Sequence, residues 1–209
     1  MSAPTMTLYY NAASPFARKV LLVLHETGQL DRVTLQPTVL TPIAPVAELN
    51  HDNPAGKIPA LRLADGNVIH DSRVILDYLD HQHVGNPLIP REGSARWRRL
   101  TLASLADALL DAALLIRYET ALRPQEKHWA EWLDNQQEKI ERTLNYFEQE
   151  AITELSSAFD VASISVASAL GYIDFRQPDL AWRNRYPRLA NWYFEVSERP
   201  SMQATQPSV

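Results

Sequence analysis

Ser14 is followed by Pro15, and the apolar side chains that come next recur at helical spacing. Serine is a common helix N-cap and proline suits the first helical position, so a helix is predicted to begin here. The amino end of a helix attracts anions, and a hydroxyl there can donate a hydrogen bond to a thiolate. Because hydrogen bonds to charged groups are worth roughly 1.5–3 kcal/mol, such a bond would lower the pKa of a ligand thiol by roughly one to two units. The simpler alternative is that Ser14 only caps the helix.

Lys57-Ile58-Pro59 forms a second candidate. A residue before proline prefers an extended backbone, and a cis Ile58–Pro59 bond would turn the N–H and C=O groups of Ile58 outward. An extended peptide ligand could then pair with those groups as an added strand. The alternative is an ordinary entry into a strand.

Asp71-Ser72 forms the third candidate, at the start of a predicted helix that directly follows a predicted strand. Ser72 and its N–H group can bind a carboxylate, and Asp71 can accept hydrogen bonds from an ammonium group. Together they suit the head group of an amino acid, with simple capping of the helix as the alternative.

The order of these three candidates is more informative than any one of them. An extended γ-glutamyl peptide would be held at one end by Asp71 and Ser72, in the middle by Ile58, and would place its thiol at Ser14. The chain has no cysteine, which excludes disulfides, redox Cys-x-x-Cys motifs and a cysteine nucleophile. Thiol chemistry here therefore needs a thiol that a ligand supplies.

The elements predicted around these residues form a small α/β sandwich. We expect a strand over residues 6–10, a helix from Pro15 to about residues 27–28, a strand over 33–36, strands over 58–63 and 67–70, and a helix from Ser72. Asp65-Gly66 between the last two strands is typical of a hairpin turn. The stretch between the second and third strands reads as a loop region.

The predicted secondary structure changes after residue 83. Gly85, Pro87 and Pro90 indicate a linker over residues 84–93, and only helical patterns follow. Helices are predicted over residues 97–118, 124 to about 150, 160 to about 174, and 187–198. We therefore predict a first domain over residues 1–83 and an all-helical domain over residues 94–209.

Composition argues against nucleic-acid, membrane and metal partners. The 209 residues carry a formal net charge of −5, which argues against a nucleic-acid partner, and 45% of them are hydrophobic, enough for a real core. No apolar run is long enough for a membrane span, and residues 1–5 do not resemble a signal peptide, so we expect a cytoplasmic protein without membrane contact. The six histidines show no metal-ligand spacing, and no metal is expected.

Four segments, in this order, resemble the soluble (cytosolic) glutathione S-transferases, and the likeness covers about residues 6–205. Residues 14–20 (Ser-Pro-Phe-Ala-Arg-Lys-Val) are similar to the start of the family's bacterial serine-type members. Residues 53–61 (Asn-Pro-Ala-Gly-Lys-Ile-Pro-Ala-Leu) are similar to its Asn-Pro-x-Gly-Lys-(Val/Ile)-Pro-x-Leu segment. Residues 71–79 resemble its acidic-Ser motif and the following helix, and residues 186–201 resemble its closing helix and Arg-Pro-Ser exit.

The resemblance implies an α/β thioredoxin-like N-terminal domain (βαβαββα), an all-α helical-bundle C-terminal domain, glutathione as co-substrate and a homodimer. It implies that Ser14 activates the glutathione thiol and that a cis Pro59 presents Ile58 to the cysteinyl backbone. Asp71 and Ser72 would bind the γ-glutamyl group, and Lys57 the glycyl carboxylate.

The chain departs from the family pattern at two places. Asp71 stands where glutamate is more usual. At the start of the core helix of the second domain, Asp160 takes the capping position and Ser163 follows it, the reverse of the usual order. Some branches of the family use a first-strand tyrosine instead of serine, which makes Tyr10 an alternative to Ser14. We rank Ser14 first because it lies at the start of a helix.

The electrophilic second substrate is expected between the two domains, beside the helix over residues 97–118. Asp107, Asp111, Leu115 and Tyr118 share one face of that helix by their spacing. Phe16, Leu115 and Tyr118 are candidates for an apolar wall, with Asp111 beside it. The two aspartates either lie at the cleft or dimer axis, or are solvated or paired with arginines such as Arg98 and Arg117.

The sequence thus predicts a glutathione S-transferase that adds the thiolate to a small hydrophobic electrophile or reduces a peroxide with it. Two alternatives stay open. One is a transferase-like fold used as a binding or assembly module without turnover. The other is a related glutathione-dependent dehalogenase, isomerase or lyase.

Overall fold

The computed structural model describes residues 5–208. Residues Met1–Pro4, on which the expected lack of a signal peptide mostly rests, and Val209 lie outside that range. The described residues up to Ile89 and those from Pro200 onward pack as one unit, and Pro90–Arg199 pack as a second. The boundary at Ile89 falls within the predicted linker.

A four-stranded mixed sheet forms the centre of the first unit, with the strand order β2-β1-β3-β4. Strand β1 (Met6–Tyr10) runs parallel to β2 (Val33–Pro37) and antiparallel to β3 (Ala60–Arg62). The short β4 (Val68–Ile69) pairs with β3 across the Asp65-Gly66 turn. The register sets Leu8 opposite Leu61, and both are completely buried. The predicted strands and hairpin are therefore confirmed.

The chain between and after these strands forms helices α1 (Pro15–Glu26), α2 (Ala47–Asp52) and α3 (Ser72–Asp80). Helices α1 and α3 pack against each other, and Leu22 and Leu24 of α1 and Leu79 of α3 are fully buried. Helix α1 ends where Gly28 adopts a positive φ of 65°, a backbone conformation that glycine reaches without steric cost. Helix α2 occupies part of the predicted loop region and completes the βαβαββα order that the family resemblance implied.

The second unit is helical. It contains α4 (Gly93–Leu122), α5 (Ala130–Tyr146), α6 (Ile152–Leu155), α7 (Val161–Arg176) and α8 (Pro187–Ser197). Residues Val161–Ile173 of α7 are all buried, and α7 packs along α4. The predicted architecture, an α/β thioredoxin-like part followed by an all-helical part, is confirmed. Among residues 5–208, no helix combines the length and apolar character needed to cross a membrane.

The predicted helix over residues 124–150 proves to be interrupted at both ends. Residues Gln125–Lys127 form a single 3-10 turn, and α5 begins only at Ala130. At the other end, Phe147–Ala151 form a π-helical turn between α5 and α6. A π-helical turn contains one residue more than an α-helical turn, which changes the direction in which its side chains point.

A ninth helix, α9 (Pro200–Ala204), belongs to the first unit, where the sequence was read only as an exit from α8. The buried Arg18 of α1 donates hydrogen bonds to the Met202 carbonyl oxygen at 3.3 Å and to Thr205 Oγ1 at 3.4 Å. The Ser201 hydroxyl donates to Glu26 at the carboxyl end of α1. Residues distant in sequence therefore complete one face of α1.

Candidate functional site

Ser14 is the N-cap of α1, as predicted. Its Oγ accepts a hydrogen bond from the Ala17 N–H at 3.2 Å, and its own N–H donates to the Asn11 carbonyl oxygen at 2.9 Å. A hydroxyl that accepts in this way can still donate its hydrogen to another group. Capping and activation of a thiol are therefore compatible roles for the half-buried Ser14 side chain.

Asn11 fixes the loop that presents Ser14, a role that the sequence did not reveal. Its Oδ1 accepts from the Ala13 N–H at 2.8 Å, and its Nδ2 donates to the Thr38 carbonyl oxygen at 3.4 Å. The loop after β1 is thereby tied to the segment that follows β2. Asparagine between a strand and a serine-capped helix is the signal for such a turn.

The Ile58–Pro59 peptide bond is cis, as the family resemblance implied. The side chain of the buried Asn53 shapes the preceding loop, because its Nδ2 donates to the Lys57 carbonyl oxygen at 2.8 Å and its Oδ1 accepts from the Ala55 N–H at 3.1 Å. Gly56 has a φ of 60°, and a Cβ there would come within 2.7 Å of Asn50 Oδ1. The loop therefore holds the Ile58 backbone in a fixed position while the Lys57 side chain stays exposed.

Tyr9, Asp52 and Arg62 form a network behind this loop. The Tyr9 hydroxyl donates to Asp52 Oδ2 at 2.7 Å and accepts from Arg62 Nη2 at 2.6 Å, while Arg62 Nε donates to the same carboxylate oxygen at 2.8 Å. Burial, with the hydrogen bond to Asp52 and its charge, raises the pKa of Tyr9 to about 12. Asp52 immediately precedes Asn53, so the network anchors the start of the loop to the sheet.

Tyr10 lies next to Tyr9 on the opposite face of β1, opposite Pro37 of β2, and is half-buried. Successive strand residues point to opposite faces of a sheet, so Tyr10 takes no part in the network of Tyr9. It stays the alternative to Ser14 as the residue that faces the thiol.

Asp71, rather than Ser72, is the N-cap of α3, and Ser72 is its buried first residue. The Asp71 carboxylate accepts from the Arg73 N–H at 2.9 Å and from Arg73 Nη2 at 2.8 Å. Partial burial raises the pKa of Asp71, but the hydrogen bonds from Arg73 and the charges of Arg73 and Lys19 outweigh it, and the pKa lies below its ordinary value. The carboxylate is therefore anionic at neutral pH, as an ammonium ligand requires.

The remaining candidates lie in different units. Phe16 is half-buried on α1, with Lys19 Nζ 5.5 Å from its ring centroid. On α4, Asp111 and Leu115 are exposed, and burial raises the pKa of the partly buried Tyr118.

One alternative for Asp107 and Asp111 was pairing with an arginine such as Arg98, and the structure does not show it for that arginine. Arg98 instead forms an ion pair with Glu154 at 2.6 Å and donates to the Tyr146 hydroxyl. Asp107 is largely buried on α4. Within residues 5–208, no group of three or more histidine, aspartate or glutamate side chains is arranged to hold a metal ion.

Residues 13–82 match the family model described as the N-terminal domain of glutathione S-transferase, and residues 130–193 match the model described as its C-terminal domain. Each match includes part of the predicted motif set, since the first spans Ser14 to Ser72 and the second includes Asp160.

Several relatives resemble nearly the whole chain, and three of them show the extent of the similarity. A solved structure of a glutathione transferase family member from Pseudomonas fluorescens Pf-5, with bound glutathione, is 67% identical with a TM-score of 0.97, over 98% of this chain and 100% of the other. A second structure from that organism, with bound S-(propanoic acid)-glutathione, is 64% identical with a TM-score of 0.93 over the same shares. The uncharacterized GST-like protein YibF of Escherichia coli (strain K12) is 30% identical over 97% of this chain and 98% of its own length.

Proposed function

This chain belongs to the glutathione S-transferase family, and from that membership we propose that it is an enzyme that ionises the glutathione thiol at Ser14 and directs the thiolate at a small electrophile. The observation that carries this proposal is the position of Ser14, whose hydroxyl lies at the amino end of α1 beside the Ala17 N–H. The amino end of the helix favours an anion at that point, and the Ser14 hydroxyl can still donate its own hydrogen to it.

Glutathione would lie along the three segments predicted from the sequence. The negative charge of Asp71 suits the ammonium group of the γ-glutamyl unit, and the amino end of α3 at Ser72 suits its carboxylate. The backbone of Ile58 beside cis Pro59 suits the cysteinyl unit. Lys57, with its exposed ammonium group, suits the glycyl carboxylate. The glutathione complex of the relative from Pseudomonas fluorescens supports glutathione as the co-substrate.

The reaction needs no covalent bond to the protein. Glutathione loses its thiol proton to solvent, the Ser14 hydroxyl donates a hydrogen bond to the sulfur anion, and the sulfur forms a bond to the electrophilic carbon. The leaving group departs with its electron pair, or an activated double bond takes up a proton. The protein contributes stabilisation of charge and alignment of the two reactants.

Phe16, Asp111, Leu115 and Tyr118 stay candidates for contact with the electrophile. The second relative from Pseudomonas fluorescens holds S-(propanoic acid)-glutathione, a thioether in which the sulfur carries a three-carbon acid. That ligand supports a transfer to carbon, rather than peroxide reduction, as the first reaction to assay. A cytoplasmic homodimer is part of the same proposal, and light scattering of the purified protein tests the dimer.

The decisive experiment measures the pKa of the bound glutathione thiol by the ultraviolet absorbance of its thiolate across pH. We expect a pKa lowered by roughly one to two units in the wild type, and loss of that lowering in Ser14→Ala. Tyr10→Phe is the matched variant, because it removes the alternative hydroxyl and should leave the thiol pKa unchanged.

Two results would count against the proposal. An unchanged thiol pKa in Ser14→Ala, with a shift in Tyr10→Phe, would move the role to Tyr10. Weak glutathione binding by calorimetry, together with no dependence on Ser14, would favour the binding or assembly module without turnover. Assays against aryl halides, epoxides, halogenated acids and hydroperoxides then separate the transferase from the dehalogenase, isomerase and lyase alternatives.

A further inference from the structure

The loop between β2 and α2, residues 38–46, lies at the same edge of the sheet as the loop that carries Ser14. Strands β1 and β2 are parallel and pair along their whole length, ending with Tyr10 opposite Pro37, so their carboxyl ends lie side by side. The Ser14 loop follows β1, and the β2–α2 loop follows β2. Ligands of open α/β sheets bind beyond the carboxyl ends of parallel strands, so both loops border the region where a ligand is expected.

Hydrogen bonds connect these two loops directly. Asn11 bridges them, because its carbonyl oxygen accepts from the Ser14 N–H at 2.9 Å and its Nδ2 donates to the Thr38 carbonyl oxygen at 3.4 Å. The Thr38 N–H donates to the Tyr10 carbonyl oxygen at 2.7 Å, which continues the β1–β2 pairing past the end of the strands. The residue that follows Thr38 is therefore held close to the cap of α1.

Val39 is that residue, and its two neighbours both turn inward. Thr38 is buried at the end of β2. Leu40 packs against the same buried apolar cluster as Ile58, the residue whose backbone we propose binds glutathione. Val39 itself faces solvent, with 79% of its surface exposed. The loop thus presents one apolar side chain in water, between the Ser14 cap and the Ile58 segment.

The rest of the β2–α2 loop is held in shape as well. The backbones of Thr41 and Ala44 exchange two hydrogen bonds, at 3.3 and 3.1 Å, which close a tight turn. Pro42 within that turn and Pro45 after it restrict the backbone further. Covering an apolar side chain that a restrained backbone already holds in place stabilises a complex with little loss of loop entropy.

We propose that Val39 packs against the apolar group that becomes bonded to the glutathione sulfur, which makes electrophiles with an apolar substituent at the reacting carbon the preferred substrates. A sulfur at Ser14 places its substituent next to the loop that Asn11 ties to Thr38. Residues 38–46 contain no charged side chain, so this loop offers an ionic substituent no partner. The inference rests on the proposed function, because it needs the sulfur at Ser14.

The test measures how affinity depends on the length of the alkyl group on the sulfur. Calorimetry gives the dissociation constants of S-methyl-, S-propyl- and S-hexylglutathione for the full-length protein. We expect the hexyl compound to bind at least about tenfold tighter than the methyl compound in the wild type, because each buried methylene group adds affinity. Val39→Ser should reduce that ratio by about threefold or more, and Val39→Leu should keep or increase it.

Val84→Ser is the matched control and should keep the wild-type ratio. Val84 is a fully exposed valine of the same unit, and it lies beyond the carboxyl end of α3, whereas Asp71 caps the amino end of that helix. Exposed substitutions of this kind change stability little, so both serine variants should fold.

Three results would overturn the inference. One is an unchanged ratio in Val39→Ser. Another is an equal loss of affinity for glutathione and all three thioethers, because Val39 would then contact the tripeptide itself. The third is dissociation of a dimer in Val39→Ser, seen by light scattering with the ratio unchanged, which would assign Val39 to a contact between two copies of the chain.

Each of these results leaves the proposed function intact if glutathione still binds to the wild type and its thiol pKa still depends on Ser14. Failure of glutathione to bind to the wild type would instead refute the proposed function and the inference together.

Discussion

The Tyr9 hydroxyl and the Asp52 carboxylate are joined by a hydrogen bond of 2.7 Å across 43 positions of sequence. Arg62 donates to both groups and so links β1, β3 and the end of α2. The chain continues from Asp52 directly into the loop that presents Ile58. This network thus helps to fix the position of the Ile58 backbone, which we propose binds glutathione.

Tyr9→Phe removes one hydroxyl from this network and leaves the Asp52–Arg62 pair in place. We expect the free energy of unfolding to fall by about 1–3 kcal/mol, because a buried hydrogen bond to a charged group is lost. Glutathione should bind more weakly since the loop is less firmly held, while the maximal rate at saturating glutathione changes less. Urea unfolding and calorimetry measure the two effects. Tyr78→Phe on α3 is the control, and equal stability of wild type and Tyr9→Phe would contradict the prediction.

The same network gives the stability of the protein a dependence on alkaline pH. The pKa of Tyr9 rises from 10.0 to about 12 on folding, so the folded state favours the neutral phenol. Its contribution is complete below pH 10 and is lost as the pH rises through the folded value near 12. The urea midpoint of the wild type should therefore fall more steeply over this range than that of Tyr9→Phe. Parallel curves for the two proteins would show that Tyr9 is not the group responsible.

Asp71→Asn separates the charge of Asp71 from its capping role. Asparagine caps a helix as well as aspartate does, so stability should change little. Glutathione should bind about tenfold or more weakly if the carboxylate holds the γ-glutamyl ammonium group. Asp65→Asn, in the exposed hairpin turn where Asp65 also accepts a backbone hydrogen bond, is the matched control. An unchanged dissociation constant in Asp71→Asn would refute the head-group assignment.

Glu148 is a buried carboxylate on the π-helical turn and caps α8. Its oxygens accept from the Arg188 N–H at 3.2 Å and the Leu189 N–H at 2.8 Å. Glu148→Ala should lower the free energy of unfolding by about 1–3 kcal/mol, because buried N–H groups lose their acceptor. Glu148→Gln retains an acceptor and should lose less, and Glu138→Ala at the exposed pair with Arg142 should be nearly neutral. Thermal unfolding that ranks the two Glu148 variants equally would contradict this role.

Asp160 combines two roles at the start of α7. It accepts from the N–H groups of Ala162 and Ser163 and forms a bidentate ion pair with Arg99, with both bonds at 2.5 Å. Ser163 Oγ lies within hydrogen-bond distance of the carbonyl oxygens of Leu155 and Ala158 and donates its one hydrogen on that side, so the reversed order of the two residues still secures this helix. Asp160→Ala should cost about 3–5 kcal/mol, as for a broken buried ion pair, and Asp160→Asn less. Urea unfolding of both variants measures the difference.

Local signals were sufficient for much of the fold. The N-cap serine and proline located the start of α1, the Asp65-Gly66 turn located the hairpin, and the apolar run after Asp160 located α7, because each depends on neighbouring residues. Helix α2 has only six residues, too few to show a helical period. The π-helical turn was hidden because one inserted residue barely disturbs the period of a long helix.

The residues that hold the candidate site in place could not be predicted from local signals in the same way. The sequence singled out Ser14, Ile58 and Asp71 because motifs surround them. Asn53 was noted only as one residue of a family motif, without a role. The hydrogen-bond partners of Tyr9 lie 43 and 53 positions away in the sequence, so no local pattern indicates them.

Helix α9 has a consequence for biosynthesis. The Met202 carbonyl oxygen and the Thr205 hydroxyl accept hydrogen bonds from Arg18. The unit that contains Ser14, Ile58 and Asp71 is therefore formed by two separate segments of the sequence. A nascent chain can finish that unit only after the ribosome has translated the whole helical part. Until then Arg18, in the helix that Ser14 caps, lacks these partners, and a stop codon before Pro200 would leave the first unit permanently without them.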